Sequence, residues 1–231
     1  MTTQDARPVG PAVDPTPAPM PGAVTLNGRF GTVERIDAAR HSADLWQAVR
    51  GRDDIWDYIP AGPFADVAAF NAYVVDCERN HERIFYTVLD RDRRAVGFLA
   101  LMEIRPSNRV IEVGNIIYGA TLQRTPLGSE AQYLLTRYAF ETLGYRRYEW
   151  KCNALNAPSR RAAERFGFTY EGTFRQHMIV KGHSRDTAWF SIIDSEWPAR
   201  RRAFERWLAP ENFDAGGRQK VSLAALHETG A

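Results

Sequence analysis

Apolar positions along the chain recur with two different periods, and each change of period marks the end of an element. Phe30–Ile36 reads as a strand. Ala38–Val49 and Ala65–Cys77 repeat apolar residues at three- and four-residue spacing and predict amphipathic helices, the second with Val67, Phe70, Tyr73 and Val74 on one face. Arg83–Leu89 and Ala95–Glu103 predict adjacent strands joined by the polar turn Asp90-Arg91-Asp92-Arg93, and Arg109–Tyr118 is a further strand rich in Val and Ile. A helix is predicted from Gly128 to Leu143, striped by Ala131, Leu134, Leu135, Tyr138 and Thr142, with Gly144 at its C-terminal stop. Arg147–Cys152 alternates Tyr148, Trp150 and Cys152 against Glu149 and Lys151, the pattern of a strand. A short helix then runs from Asn156 or Ala157 to Phe166, with Pro158 in its first turn and Gly167 behind it. Phe168–Val180 and Asp186–Ile193 form a hairpin around Lys181-Gly182-His183-Ser184. A last helix spans Glu196–Leu208, with Ser195 as its candidate N-cap.

No internal repeat interrupts this order. It predicts one mixed α/β layered domain over residues 23–210: an antiparallel front half, a β-helix-β unit near 109–152 and a closing hairpin. Residues 1–22 hold six of the thirteen prolines and read as a disordered tail; residues 211–231 read as a second tail, with a short helix near Ser222–His227. Composition changes little in this picture. With 231 residues and 44% hydrophobic content, the chain can build its core without disulfides or metals. A net charge of +2 gives no general reason to expect a nucleic-acid partner. Cys77 and Cys152 read as reduced, buried side chains, and no metal-ligand spacing accompanies them. No apolar stretch approaches the roughly 20 residues of a membrane span, and no basic start precedes an apolar run, so a cytoplasmic protein without a membrane partner is expected.

The segment Ile111–Leu135 is the most informative for chemistry. A β-branched strand enters a tight loop that opens directly into an amphipathic helix. The first turn of a helix leaves backbone N–H groups unpaired and carries partial positive charge, so a phosphate or pyrophosphate can lie there, with Gly128 allowing close approach. An ordinary strand–turn–helix is the alternative. The loop is neither GxxxxGK[ST] nor GxGxxG, which argues against nucleoside triphosphates and dinucleotides.

Two motifs at their separation then resemble the GCN5-related N-acetyltransferase (GNAT) superfamily, and within it the RimJ/RimL-like branch of protein N-terminal acetyltransferases. Gln123-Arg124-Thr125-Pro126-Leu127-Gly128 resembles the coenzyme-binding pattern Gln/Arg-x-x-Gly-x-Gly/Ala, with Pro126 in place of the first glycine. Asn156-Ala157-Pro158-Ser159, continuing to Phe166-Gly167-Phe168, resembles the branch's Asn-x-x-Ser helix, and Phe168–Arg175 its Phe-x-x-Glu-Gly-x-x-Arg strand. The similarity runs from about Thr25 to Leu208. It implies a splayed, mostly antiparallel sheet flanked by helices, with acetyl-CoA in the splay between the 109–118 and 147–152 strands and no metal. The coenzyme-binding residues implied are Ile116, Ile117, Tyr118, Gln123, Arg124, Thr125, Leu127, Gly128, Ser129, Asn156, Ser159 and Arg161.

Direct attack of a neutral amine on the thioester is the implied chemistry, and it needs a proton acceptor, donors for the carbonyl oxygen and an acid for the thiolate. Glu112, eleven residues before Gln123, is the candidate base; an exposed strand Glu, or one anchoring a neighbouring Arg, is the alternative. Ser159 is the candidate acid and coenzyme contact; its other role is to cap the helix. Asn156 is a candidate contact for the pantetheine arm; its other role is to cap the same helix. Ala163 stands where many members carry an acidic Tyr, and Met178 where RimL-like enzymes carry a Glu, so Tyr118 as acid and His177 as base stay open. Arg160 and Arg161 are candidates for the 3′-phosphate, and Trp56-Asp57-Tyr58 with Phe64 for an acceptor groove or, alternatively, core. The acceptor implied is a protein N-terminal α-amine, as on ribosomal proteins, with a small-molecule amine or a non-catalytic acetyl-CoA-binding domain as alternatives. A homodimer is compatible with all of these.

Overall fold

The computed structural model describes residues 9–229. Eight strands form one sheet in the order β1-β2-β3-β4-β5-β6-β8-β7. The strands are β1 (Thr25–Asn27), β2 (Thr32–Arg35), β3 (Ile84–Leu89), β4 (Ala95–Arg105), β5 (Val110–Tyr118), β6 (Arg147–Asn153), β7 (Thr169–Val180) and β8 (His183–Ile193). Every neighbouring pair is antiparallel except β5 and β6.

Helices cover both faces. On one, α1 (Ala38–Val49) and α2 (Val67–Arg79) close a core containing Leu45, Phe70, Phe85, Phe98 and Ile117. Asp37 and Asp66 cap these helices by accepting from the amides of Arg40 and Ala69, which fixes their starts. The second face carries α3 (Pro126–Arg137), α4 (Ala157–Arg165), α5 (Trp197–Leu208) and α6 (Leu223–Glu228), over a core with Val113, Leu135, Tyr148, Trp150 and Phe204. No helix among the described residues is long and apolar enough to cross a membrane.

Several elements differ from the sequence expectation. The helix expected from Gly128 begins two residues earlier, with Thr125 as N-cap and Pro126 at the first helical position, and a π turn at Tyr138–Thr142 replaces its last stretch. Proline fits at that position because its missing N–H would be unpaired there in any helix. Ser195 does not cap α5; Glu196 precedes it without a side-chain cap. The hairpin turn is only two residues long, and both Lys181 and Gly182 have positive φ, the geometry that matches the twist of the flanking strands.

Strand β1 lies outside the sequence expectation, and the proline-rich segment before it is not a free tail throughout. Residues 1–8 of that segment lie outside the described residues. Farther along, Ala18 is buried and its amide donates to Pro106 O at 3.1 Å. Tyr145 donates to Pro19 O at 3.1 Å and Tyr86 to Gly22 O at 2.9 Å. The C-terminal segment likewise returns to the body, burying Leu223 and Leu226 of α6. Cys77 and Cys152 are both free and buried.

Candidate active site

The sheet opens between its two parallel strands. β5 and β6 pair from Val110↔Arg147 to Val113↔Trp150 and no farther, although β5 continues to Tyr118 and β6 to Asn153. A bulge in β5, with Asn115 at φ +47°, helps turn the strand away. The register puts Met102, Glu112, Gly114, Ile117, Glu149 and Lys151 on the α1/α2 face, and Ile111, Val113, Trp150 and Cys152 on the α3/α4 face.

The candidate base and acid therefore lie on opposite faces, and only the opening lets one substrate reach both. Glu112 is buried, with 5% of its surface exposed. Its Oε2 sits 2.8 Å from Lys151 Nζ, yet it accepts no aligned hydrogen bond, and a buried oxygen left in that state calls for a reason. Burial pushes its carboxyl up to about 7; Lys151 pulls the other way, while Glu103 and Glu149 add to the rise. Glu149 is buried too. Burial opposes its ionisation, but hydrogen bonds from Arg147 and Lys151 and the charge of Arg105 hold it below the ordinary value.

On the α4 side, Ser159 Oγ accepts from Trp150 Nε1 at 3.0 Å, which orients the hydroxyl and leaves its proton to give. Asn156 Oδ1 accepts from the Ser159 amide at 3.1 Å, so Asn156 takes the capping role. Arg161 is exposed, whereas Arg160 lies over the Tyr170 ring, 5.5 Å from its centroid.

The loop before α3 is tightly wound. Gln123 Nε2 donates to Tyr118 O at 2.9 Å, and Thr125 Oγ1 accepts from the Gly128 amide at 3.2 Å. The Ser129 amide reaches Thr125 O at 3.4 Å. Gly128 and Ser129 thus spend their amides on the loop itself, unlike the sequence expectation, while Arg124, at φ +61°, is exposed just before the helix and Leu127 is half-buried in its first turn. Gly128 is required for packing: a Cβ there would stand 2.9 Å from Leu122 O and 3.2 Å from Tyr118 Cε2. Ile116 and Tyr118 pack toward α3, and Ile117 toward α1 and α2.

Tyr118 is withdrawn as an acid. Its hydroxyl donates to Gly128 O at 3.0 Å and accepts from Gln132 Nε2 at 3.1 Å, and burial pushes its pKa up. His177 shares Glu112's side of the sheet, but its Nδ1 lies 3.0 Å from Thr187 Oγ1 and its ring stands edge-on to Phe174 beside Trp189. Trp56 belongs to the core, packed edge-to-face on Phe64 at 5.1 Å, while Tyr58 donates to Leu155 O at 3.3 Å near the opening.

Two cations escaped sequence reasoning. Lys151 alternates as any exposed strand residue would, and nothing local announces its burial. Arg165, on α4, donates to Ser129 Oγ at 3.0 Å in the first turn of α3 and rests over Trp207; burial lowers its pKa. Its place in the Glu-Arg-Phe-Gly-Phe stretch was the available signal. A hollow of about 130 Å³ borders the site, lined by Tyr73, Asp76, Asn80, Arg83 and Asn115 among others. A larger one, about 290 Å³, lies between the β1–β2 turn, α3 and α5 and holds none of the candidate residues.

Residues 33–169, more than half of the chain, match a family model described as an acetyltransferase (GNAT) domain. A Bacillus subtilis (strain 168) protein with the provisional name ribosomal N-acetyltransferase YdaF is 29% identical over 110 residues, which is 48% of this chain and 60% of that protein's length. Among solved structures, a GCN5-related N-acetyltransferase from Brucella melitensis aligns with a TM-score of 0.90 and 44% identity over 92% of this chain and 98% of that one. A probable acetyltransferase of the GNAT family from Chromobacterium violaceum ATCC 12472 gives a TM-score of 0.76 and 37% identity, covering 84% and 100%.

Proposed function

The chain belongs to the GNAT acetyltransferase family, and on that premise we propose that it moves the acetyl group of acetyl-CoA to the α-amine of a protein N-terminus by direct attack. The observation that carries the chemistry is the buried, incompletely bonded Glu112 at the opening in the sheet, with Ser159 on the other side. In this reading the coenzyme lies on the α3/α4 face, its phosphates near the mouth formed by Arg124 and Leu127 and near Arg165, and the acceptor arrives from the α1/α2 face. Glu112 takes the ammonium proton, directly or through water, as the nitrogen becomes nucleophilic. The nitrogen then forms a bond to the acetyl carbon and the carbon–sulfur bond breaks; the Ser159 hydroxyl gives its proton to the departing sulfur and is restored, through water, by the second proton that the acylated nitrogen sheds, while Glu112 returns its proton to solvent.

Two things favour a protein acceptor. The Bacillus subtilis relative is named for ribosomal N-acetylation. Exposed apolar side chains also stand on the loop after β6 and on the edge strand β7, Leu155 at 78%, Phe174 at 52% and Ile179 at 82%, and a macromolecule would cover these better than a small amine. The hollow beside Asn115, with Asp76 and Arg83 in its wall, favours the second reading, a small polar amine. Thiol release from acetyl-CoA separates them. Peptides with a free N-terminus should turn over and N-terminally blocked ones should not; release with small amines alone would overturn the protein reading. Silence with every acceptor, alongside coenzyme binding, would point to a non-catalytic domain. Glu112→Gln should remove the ascending limb of the rate–pH profile, and an unchanged profile would remove Glu112 as base.

A further inference from the structure

We propose that Lys151 is a positioning residue that holds Glu112 as a carboxylate aimed at the opening between β5 and β6. The inference rests on Glu112 being the proton acceptor, and it concerns what keeps that group ready. Its starting point is geometric. Only 10% of the Lys151 side chain is exposed, and its ammonium touches two carboxylates and an indole ring. Glu112 Oε2 lies at 2.8 Å, Glu149 Oε2 at 3.0 Å, and the face of Trp189 at 4.1 Å from the ring centroid. The pairing Lys151↔Trp189 between β6 and β8 sets the ring beneath the ammonium, and Glu112↔Glu149 between β5 and β6 puts the two carboxylates side by side.

That arrangement assigns unequal duties. Glu149 is also held by Arg105 at 2.6 Å and Arg147 at 2.7 Å, so its charge is compensated without Lys151. Glu112 has no cation closer than Lys151 among the described residues, and its surroundings otherwise disfavour the anion. Glu103 faces it from β4 and Glu149 from β6, both adding negative charge, and Arg185 on β8 acts on it at longer range. Burial alone would leave Glu112 protonated at neutral pH, where it could accept nothing. Trp189 and Glu149 fix the ammonium in place, and the ammonium fixes one oxygen of Glu112. Oε1, the oxygen that Lys151 does not hold, is the one left to receive a proton.

The test titrates the Glu112 side-chain carboxyl by carbon-13 NMR, with the resonance assigned through Glu112→Gln, in the wild-type protein and in Lys151→Met and Lys151→Arg. Wild type should titrate near 7, Lys151→Met at least about one pH unit higher, and Lys151→Arg back toward wild type, because an adjacent cation lowers a carboxyl pKa by about 1–3 units. A Lys151→Met midpoint equal to wild type would overturn the proposal. Should that variant not fold, Lys151→Gln carries the same expectation. The ascending limb of kcat/KM against pH should move with the NMR midpoint. If Glu112→Gln leaves the rate profile intact while the NMR midpoint still moves, the base assignment fails and the ion-pair effect stands. If Glu112→Gln abolishes the limb and Lys151→Met shifts neither readout, the role of Lys151 fails alone.

Discussion

Replacing Gly128 by alanine sets two magnitudes against each other. In the first turn of α3, Ala is the better helix former by up to about 1 kcal/mol, and less near a helix end. Gly128 has no positive φ that would forbid a side chain. Propensity alone therefore predicts a more stable protein. The packing predicts the opposite. The new Cβ would stand 2.9 Å from the Leu122 carbonyl oxygen, a backbone atom held by the tight loop, and 3.2 Å from the Tyr118 ring. Neither can move freely, because Tyr118 is tied to Gly128 O and Gln132. Forcing a methyl group into such a site costs about 1–3 kcal/mol, so a net loss of about 1–2 kcal/mol is expected once the propensity gain is subtracted. For a chain of this size that is a fall in Tm of about 2–8 °C by differential scanning calorimetry. The affinity for coenzyme A should drop as well, since the loop that must give way forms the mouth of α3. A Tm equal to or above wild type would refute the packing argument and return Gly128 to a purely conformational role.

Three further outcomes follow from named contacts. Ser159→Ala should lower kcat about 100- to 10,000-fold with little change in KM, and steady-state kinetics showing only a KM effect would reassign Ser159 to coenzyme binding. The buried Glu130 carboxylate accepts from the amides of Arg29 and Phe30, each at 2.7 Å, so Glu130→Ala should cost about 2–3 kcal/mol in denaturant unfolding by leaving two donors unpaired. Burial, reinforced by Arg200 and Arg165, pulls His227 down to about 4, so it stays neutral in the fold while the unfolded chain takes up a proton below about 6.5. Its depressed pKa makes stability fall as pH drops from about 6.5 toward 4; in Tm measured across that window, His227→Gln should lose less than wild type.

Local periodicity carried the order of elements because each helix and strand on the way to the site buries one regular stripe. α1 and β3–β6 lie close to where their patterns put them. The motif residues were legible too, but their roles depended on contacts no local pattern contains. Glu112 and Lys151 occupy polar positions in alternating strands, and alternation normally reads such positions as solvent-facing; here both faces of the sheet are covered, so the same pattern buries them. Tyr118 looked available until Gly128 O and Gln132 were seen to occupy its hydroxyl. Proline content predicted a loose N-terminus, yet the hydroxyls of Tyr86 and Tyr145, distant in sequence, bond to the carbonyls of Gly22 and Pro19. Pro126, which stands in place of the pattern's first glycine, is the first residue of α3, where a proline stiffens the entry at no hydrogen-bond cost.

Calorimetric titration with acetyl-CoA, read in the wild-type protein beside Arg165→Gln, tests the site most directly. A saturable heat at one equivalent per chain, with affinity lost in the variant because a guanidinium beside the mouth of α3 no longer meets the phosphates, is the predicted result. No heat of association with the wild-type protein would contradict the account at its root.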